Sequence, residues 1–288
     1  MNILYIFGNG FDKAQGMATG YPEFYKHLQY NITDGSTLLN RMKKEITEKL
    51  ELWSDMEESL GGFTTESDNA DEFDDFYFEL NDLLQKYLTS ENDNFFPTDK
   101  LKIKFQSDFT TVSKYLGALD QNRYNIFIKT NGLSLSKDIS VITLNYTNTL
   151  EKILSLNTTT TKTFGSNIFL RDIIHVHGQL GRSIIIGVDN EEQIMNKEFR
   201  NNDDIKDLMI KIQSNEVMKE TRHMQCEALI SNANIIVLFG VSLGDTDARW
   251  WKIIGDNLVK RANLAVIQHL YEPNAINPTQ LQKRGRLE

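Results

Sequence analysis

The chain has 288 residues, 40% of them hydrophobic and 25% charged, which is enough length and apolar content for a substantial core. Its net charge of −9, with acid gathered between Glu66 and Asp99, disfavours broad attraction to nucleic acid or to an anionic membrane. Cys226 is the single cysteine, which excludes an internal disulfide framework and a multi-cysteine zinc site and fits a reducing, cytoplasmic setting.

At the start, Ile3 to Phe7 is a continuous apolar run, too short for a signal peptide, that leads directly into Gly8-Asn9-Gly10-Phe11-Asp12. Such a run followed by glycine reads as a parallel strand buried on both faces, then a sharp turn into a helix start. Two readings stand side by side here, a phosphate-holding turn and a plain tight turn, because Lys13 occupies the third glycine position of the dinucleotide fingerprint. Asp12, a carboxylate, suits a ribose hydroxyl better than a phosphate. Tyr21 to Tyr30 predicts a short helix, with Tyr21 and Phe24 placed to staple the first turn to the core.

Helical spacing then joins Leu39, Met42, Ile46, Leu50, Trp53 and Leu60. Glu57 falls on the apolar face of that run, so it must be paired, at a rim, or aimed at a site. Gly61-Gly62 and the polar stretch Thr64 to Ala70 are expected to separate this helix from a second, built on Phe73, Phe76, Leu80, Leu83, Leu84 and Tyr87. A third, announced by Pro97, runs through Leu101, Phe105, Phe109, Val112, Leu116 and Leu119. The acid of Asp71 to Asp75 reads as a solvated face. Residues 31–136 thus form a helical insertion in a core made of 1–30 and 137–288.

Strand–turn–helix alternation resumes at Ile139 to Leu144, followed by a helix that Thr147 or Asn148 could cap. Thr158 to Thr163 is a polar tract expected to be an exposed loop. Ile173 to His177 and Ile184 to Ile186 read as short strands, with His175 and His177 sent to one face by strand alternation. A metal needs a third ligand, and none lies at a telling spacing, so no metal is expected. His177, beside Gly178, is the better general-base candidate because imidazole titrates near neutrality. Leu208, Met209, Ile212, Met224 and Leu229 mark helical material before a second strand-and-glycine turn, Ile235 to Phe239 then Gly240-Val241-Ser242-Leu243-Gly244-Asp245. The paired Trp250-Trp251 read as packing residues, and Asn263 to His269 as the last strand. Basic Lys283-Arg284-Gly285-Arg286 stands near the end. The whole reads as α/β, a Rossmann-like parallel sheet with a large helical insertion and ligands expected beyond the carboxyl ends of its strands.

Taken in order, several segments resemble the AbiH family of phage abortive-infection proteins: Ile6 to Asp12, Gly16 to Phe24, Trp53 with Glu57, Asn145-Tyr146-Thr147, His177-Gly178, and Gly240 to Asp247. More distantly the chain is similar to the sirtuin-like nucleotide-binding fold. Gly8-Asn9-Gly10 resembles its phosphate loop, Asn145 its pocket asparagine, His177 its catalytic base, and Gly240 with Ser242 its nucleotide turn. Thr147 stands where sirtuins carry an aspartate, and the four-cysteine zinc module is missing, which speaks against protein deacetylation. The resemblance implies NAD as substrate or ligand, His177 and Asn145 as catalytic residues, and Gly8, Asn9, Gly10, Phe11, Asp12, Thr19, Tyr21, Gly240, Ser242 and Asp247 as nucleotide-binding residues. It implies phage defence by hydrolysis of the N-glycosidic bond of NAD or a related nucleotide. The alternative is a nucleotide-binding sensor without turnover, whose helical insertion recognises a phage or host protein. A phage-derived trigger protein and a homo-oligomer are compatible with either, and nucleic acid and membrane partners are not expected.

Overall fold

The computed structural model describes residues 1–134, 136–156 and 161–269. Residues 157–160 of the polar tract and the basic Lys283–Arg286 stretch lie outside the described residues. Six strands form one sheet: β1 (Asn2–Phe7), β2 (Lys137–Thr143), β3 (Lys162–Thr163), β4 (Ile168–His175), β5 (Ile235–Phe239) and β6 (Ala265–His269). Their order across the sheet is β3-β4-β2-β1-β5-β6. All neighbours are parallel except the short β3 at the edge. The chain steps outward from β1 through β2 to β4 on one side, then returns to β1 and steps through β5 to β6 on the other. This is the order of a doubly wound Rossmann-type sheet, and its reversal point lies between β1 and β5.

Period-two alternation divides β1 between two cores. Ile3, Tyr5 and Phe7 join Phe109, Val141, Leu150 and Val237 on one face. Leu4 and Ile6 join Ile142, Cys226, Ile230, Trp250 and Ile254 on the other. The helices Asp99–Thr110 and Thr149–Leu154 supply cover to the first face, and Arg222–Asn232 and Ala248–Lys260 cover the second. Covering both faces explains why β1 and β5 are continuously apolar.

The helical stretch 31–136 is divided between cores. Its first part, through the helix Ala70–Asn94, packs with Tyr146, Leu180, Ile184, Ile186, Val188 and Ile210 in a third apolar cluster. Its second part lies on the Tyr5 face of the sheet. Several boundaries differ from the expected ones. The Leu39-to-Leu60 run breaks into Thr37–Glu48, a 3-10 turn Leu50–Trp53, and Met56–Phe63, because Lys49 leaves helical geometry (φ −142°, ψ 54°) and Asp55 caps a new helix. Leu50 is consequently exposed. Gly61-Gly62 lie inside the third of these pieces rather than ending it. A Cβ on Gly61 would come within 2.4 Å of the Gln193 carbonyl oxygen, so the glycine serves a close approach between segments. The Leu101-to-Leu119 run stops at Thr110, and extended Gly117 opens a separate helix, Ala118–Thr130, on which Leu119 is exposed. Ile184–Ile186 are buried, Ile184 and Ile186 in the third cluster, and Ile184 carries a single bridge to Gly178 instead of a sheet strand. Asn148 is the cap residue of Thr149–Leu154 without a side-chain cap bond: its Oδ1 accepts from Gln179, and Thr147 turns toward Asp12.

Candidate functional site

Gly8 follows β1 and Gly240 follows β5, so the two glycine turns sit side by side at the reversal point. They touch. Gly8 N donates to Phe239 O at 3.1 Å and Gly10 N to Gly240 O at 2.9 Å, while Phe11 N donates to Gly8 O at 2.9 Å. A Cβ on Gly8 would lie 2.5 Å from Gly240 O, and one on Gly10 2.6 Å from Gly240 Cα. Gly240 itself has φ +64°, the left-handed region, and a Cβ there would meet Phe11 N at 2.5 Å. The glycines are thus needed for the contact between turns, and three of the amides expected to face an anion are engaged inside the protein.

Above the turns opens a crevice of about 450 Å³, within the range of small-molecule sites. Gly8, Asn9, Gly10, Asp12, Thr19, Tyr21, Asn145, His177, Gly240, Ser242 and Asp247 all line it. Phe11 does not. Its ring lies on the Tyr5 face of the sheet, tilted or edge-on to Phe7, Phe105 and Phe239, because the turn sends successive side chains apart. His175 and His177 also part company: β4 ends at His175, and the turn that follows puts His177 in the crevice and His175 against Glu151.

At the crevice wall is a chain of buried charge. His177 Nε2 lies 2.9 Å from Asp247 Oδ1, and Lys211 Nζ reaches the same oxygen at 3.2 Å, Glu57 Oε2 at 2.6 Å and Thr246 O at 3.0 Å. Tyr146, whose hydroxyl donates to Ile185 O at 3.0 Å, closes the group beside Glu57. Burial raises the Asp247 carboxyl, but the Lys211 ammonium and His177 outweigh it and hold it well below the carboxylate range. Burial would lower Lys211, yet Asp247 and Glu57 hold it above the ordinary lysine value. Glu57 is lifted by burial despite Lys211 beside it. Asp247 stands at the N-cap of Ala248–Lys260 without a side-chain cap bond; its oxygen serves His177 instead. With the Nε2 proton given to Asp247, a neutral ring keeps its lone pair on Nδ1, which is buried and has no partner among the described residues.

Asp12 is buried, with Oδ2 accepting from Thr147 Oγ1 at 2.5 Å and Oδ1 buried and unpartnered. Burial lifts its pKa, and the hydrogen bond from Thr147 opposes the shift. Asn145 Nδ2 donates to Gly8 O at 3.1 Å, tying the end of β2 to the first turn. Asn9 Oδ1 accepts from Thr19 Oγ1 at 2.6 Å. Lys211 and Asp55 escaped the sequence reading, and Tyr146 entered it only as part of Asn145-Tyr146-Thr147. Asp55 carried a signal, since it caps Met56–Phe63 through Oδ1 and accepts from Thr246 through Oδ2 at 3.3 Å. Lys211 carried none, because its neighbours come from positions 57, 246 and 247.

The family model for bacteriophage abortive infection AbiH matches residues 4–268 of the 288. The chain belongs to the AbiH family. No curated protein matches it. Every residue that lines the AbiH crevice, from Gly8 to Asp247, falls inside the matched span. Among the described residues of this AbiH protein, no helix is long and apolar enough to cross a membrane, and no group of three or more His, Cys, Asp or Glu is placed to hold a metal.

Proposed function

We propose that this AbiH-family phage-defence protein hydrolyses the N-glycosidic bond of NAD or a related nucleotide in the crevice at the β1–β5 reversal point. The observation that carries the reading is His177: Asp247 fixes one ring nitrogen, and the other is buried at the crevice wall without a partner. That is the arrangement of a general base with its orienting carboxylate. Breaking the C1′–N bond returns its electron pair to the pyridinium ring, which leaves as neutral nicotinamide. The oxygen of a water forms the new bond to C1′, and its proton passes to His177 Nδ1. The transition state is oxocarbenium-like, and the crevice carboxylates, Asp12 among them, favour the positive charge that develops. The unpaired Asp12 Oδ1 suits a ribose hydroxyl, and Asn145 orients the ribose or the attacking water. Asn9, Lys13 and Thr19 line the part of the crevice suited to the phosphates.

The test is to incubate purified protein with NAD and follow free nicotinamide, with and without extract of phage-infected cells. Release that disappears in His177→Ala supports the reading. Nucleotide binding without release under both conditions would replace it with a sensor whose helical part recognises a phage or host protein.

A further inference from the structure

A second polar cavity, of about 250 Å³, opens beside the carboxyl end of β4 and shares no lining residue with the crevice. Glu151, His175, Gln179, Arg182, Glu220 and Arg222 line it. Glu151 Oε1 lies 2.7 Å from His175 Nε2 and accepts from Gln179 Nε2 at 3.4 Å, while its Oε2 is buried and unpartnered. Arg222 gives Nη2 to Glu220 at 2.8 Å, while its Nη1 is buried and unpartnered. Buried polar groups are normally satisfied, so a lone carboxylate acceptor and a lone guanidinium donor on two residues that line one cavity ask for a molecule that supplies both complements.

We infer that this cavity binds a small zwitterion of the α-amino-acid class, its carboxylate on Arg222 and its ammonium on Glu151. A guanidinium matches a carboxylate in geometry, and an ammonium matches a carboxylate oxygen in charge. A plain anion would meet Glu151 and Glu220, and a plain cation would meet Arg182 and Arg222. At about 250 Å³ the cavity is smaller than the crevice of about 450 Å³ and suits a small ligand. Occupancy is carried to the crevice by His175, whose Nδ1 faces the Asn145 carbonyl oxygen at 2.9 Å while Asn145 Nδ2 holds Gly8 O. A ligand that draws on Glu151 changes the hold of the ring on Asn145.

Calorimetric titration of the full chain with each standard amino acid at millimolar concentration, against acetate, methylammonium and inorganic phosphate, tests the assignment. At least one amino acid is expected to bind, with acetate, methylammonium and phosphate each weaker by about tenfold or more. Glu151→Gln, which keeps the shape of the side chain, and Arg222→Lys are each expected to weaken that binding by about tenfold or more. His177→Ala should leave it unchanged, which separates this site from the crevice and from NAD turnover. The Asn145 amide resonance should move on binding, and a stationary one would remove the coupling. Absence of binding by every amino acid, binding indifferent to both substitutions, or phosphate or acetate binding as tightly as the amino acid would overturn the proposal.

Discussion

At the scale of single residues, the crevice wall holds buried and paired charge. His177→Ala is expected to lower NAD turnover by about 10² to 10⁴, the usual worth of general-base catalysis, with a smaller change in nucleotide affinity. Parallel single-turnover and equilibrium-binding measurements separate the two, and an unchanged rate would withdraw the role. Lys211 is the only cation bonded to both Glu57 and Asp247 among the described residues, so Lys211→Met leaves the buried Glu57 without an opposing charge and Asp247 with His177 alone. Urea unfolding is expected to show a loss of about 3–5 kcal/mol, and Glu57→Gln added to Lys211→Met should recover part of it. Asp12 works in the opposite sense. A carboxyl whose folded-state pKa is raised contributes its stability below the unfolded value of 3.8 and loses it as pH rises through the folded value. Asp12→Asn should therefore be more stable than the parent at neutral pH, with the advantage gone below pH 3.8. Equal melting temperatures across that range would show that the carboxylate is not strained. A gain in stability with a loss of nucleotide binding would mark Asp12 as retained for function.

At the scale of elements, the two glycine turns act as one unit. Gly240→Ala combines a left-handed backbone with a methyl 2.5 Å from Phe11 N, so it forces β1 and β5 apart at their carboxyl ends. Gly16, at φ +82° with no heavy atom within 4 Å of a would-be Cβ, provides the control. Gly16→Ala should cost about 1–2 kcal/mol from backbone conformation alone, whereas Gly240→Ala should cost at least about 3 kcal/mol and deform the crevice. Chemical denaturation of the pair checks this, and similar losses would mean that the turns can separate freely. The strands at this point were legible because burial on both faces leaves a continuous apolar run. The long helical runs were legible as helix but not in their breaks. Leu39 to Leu60 keeps helical spacing through Lys49, yet Asp55 can hold two backbone amides at a new helix start, and that local bond wins over the spacing.

At the scale of the whole molecule, the helical stretch is a participant in the core. Phe73, Phe76 and Leu80 share one cluster with Ile186, Val188, Phe199 and Met209, and Tyr77 OH donates to Ile186 O at 2.7 Å across 109 residues. A fragment of residues 31–136 made alone is therefore expected to lack a cooperative unfolding transition by circular dichroism, since it leaves behind the other half of that cluster. A sharp transition in the fragment would show an independently stable unit.

While Asn145 entered through the family resemblance, the sequence alone determined the α/β class, the two strand-and-glycine turns, and the candidacy of His177, Asp12 and Glu57. These follow from short-range rules: apolar runs, glycine where a turn is sharp, and a charged residue on an apolar face. Only the tertiary structure decided that Phe11 leaves the crevice, that His175 serves a different cavity from His177, and that Asp247 orients His177 while Lys211 holds Asp247 and Glu57. The last of these depends on contacts between residues 36 to 154 positions apart, for which no local pattern exists in the chain. The charge of a buried group is set by whichever partner the fold delivers, and the fold delivers Lys211 from a helix whose sequence carries no mark of it.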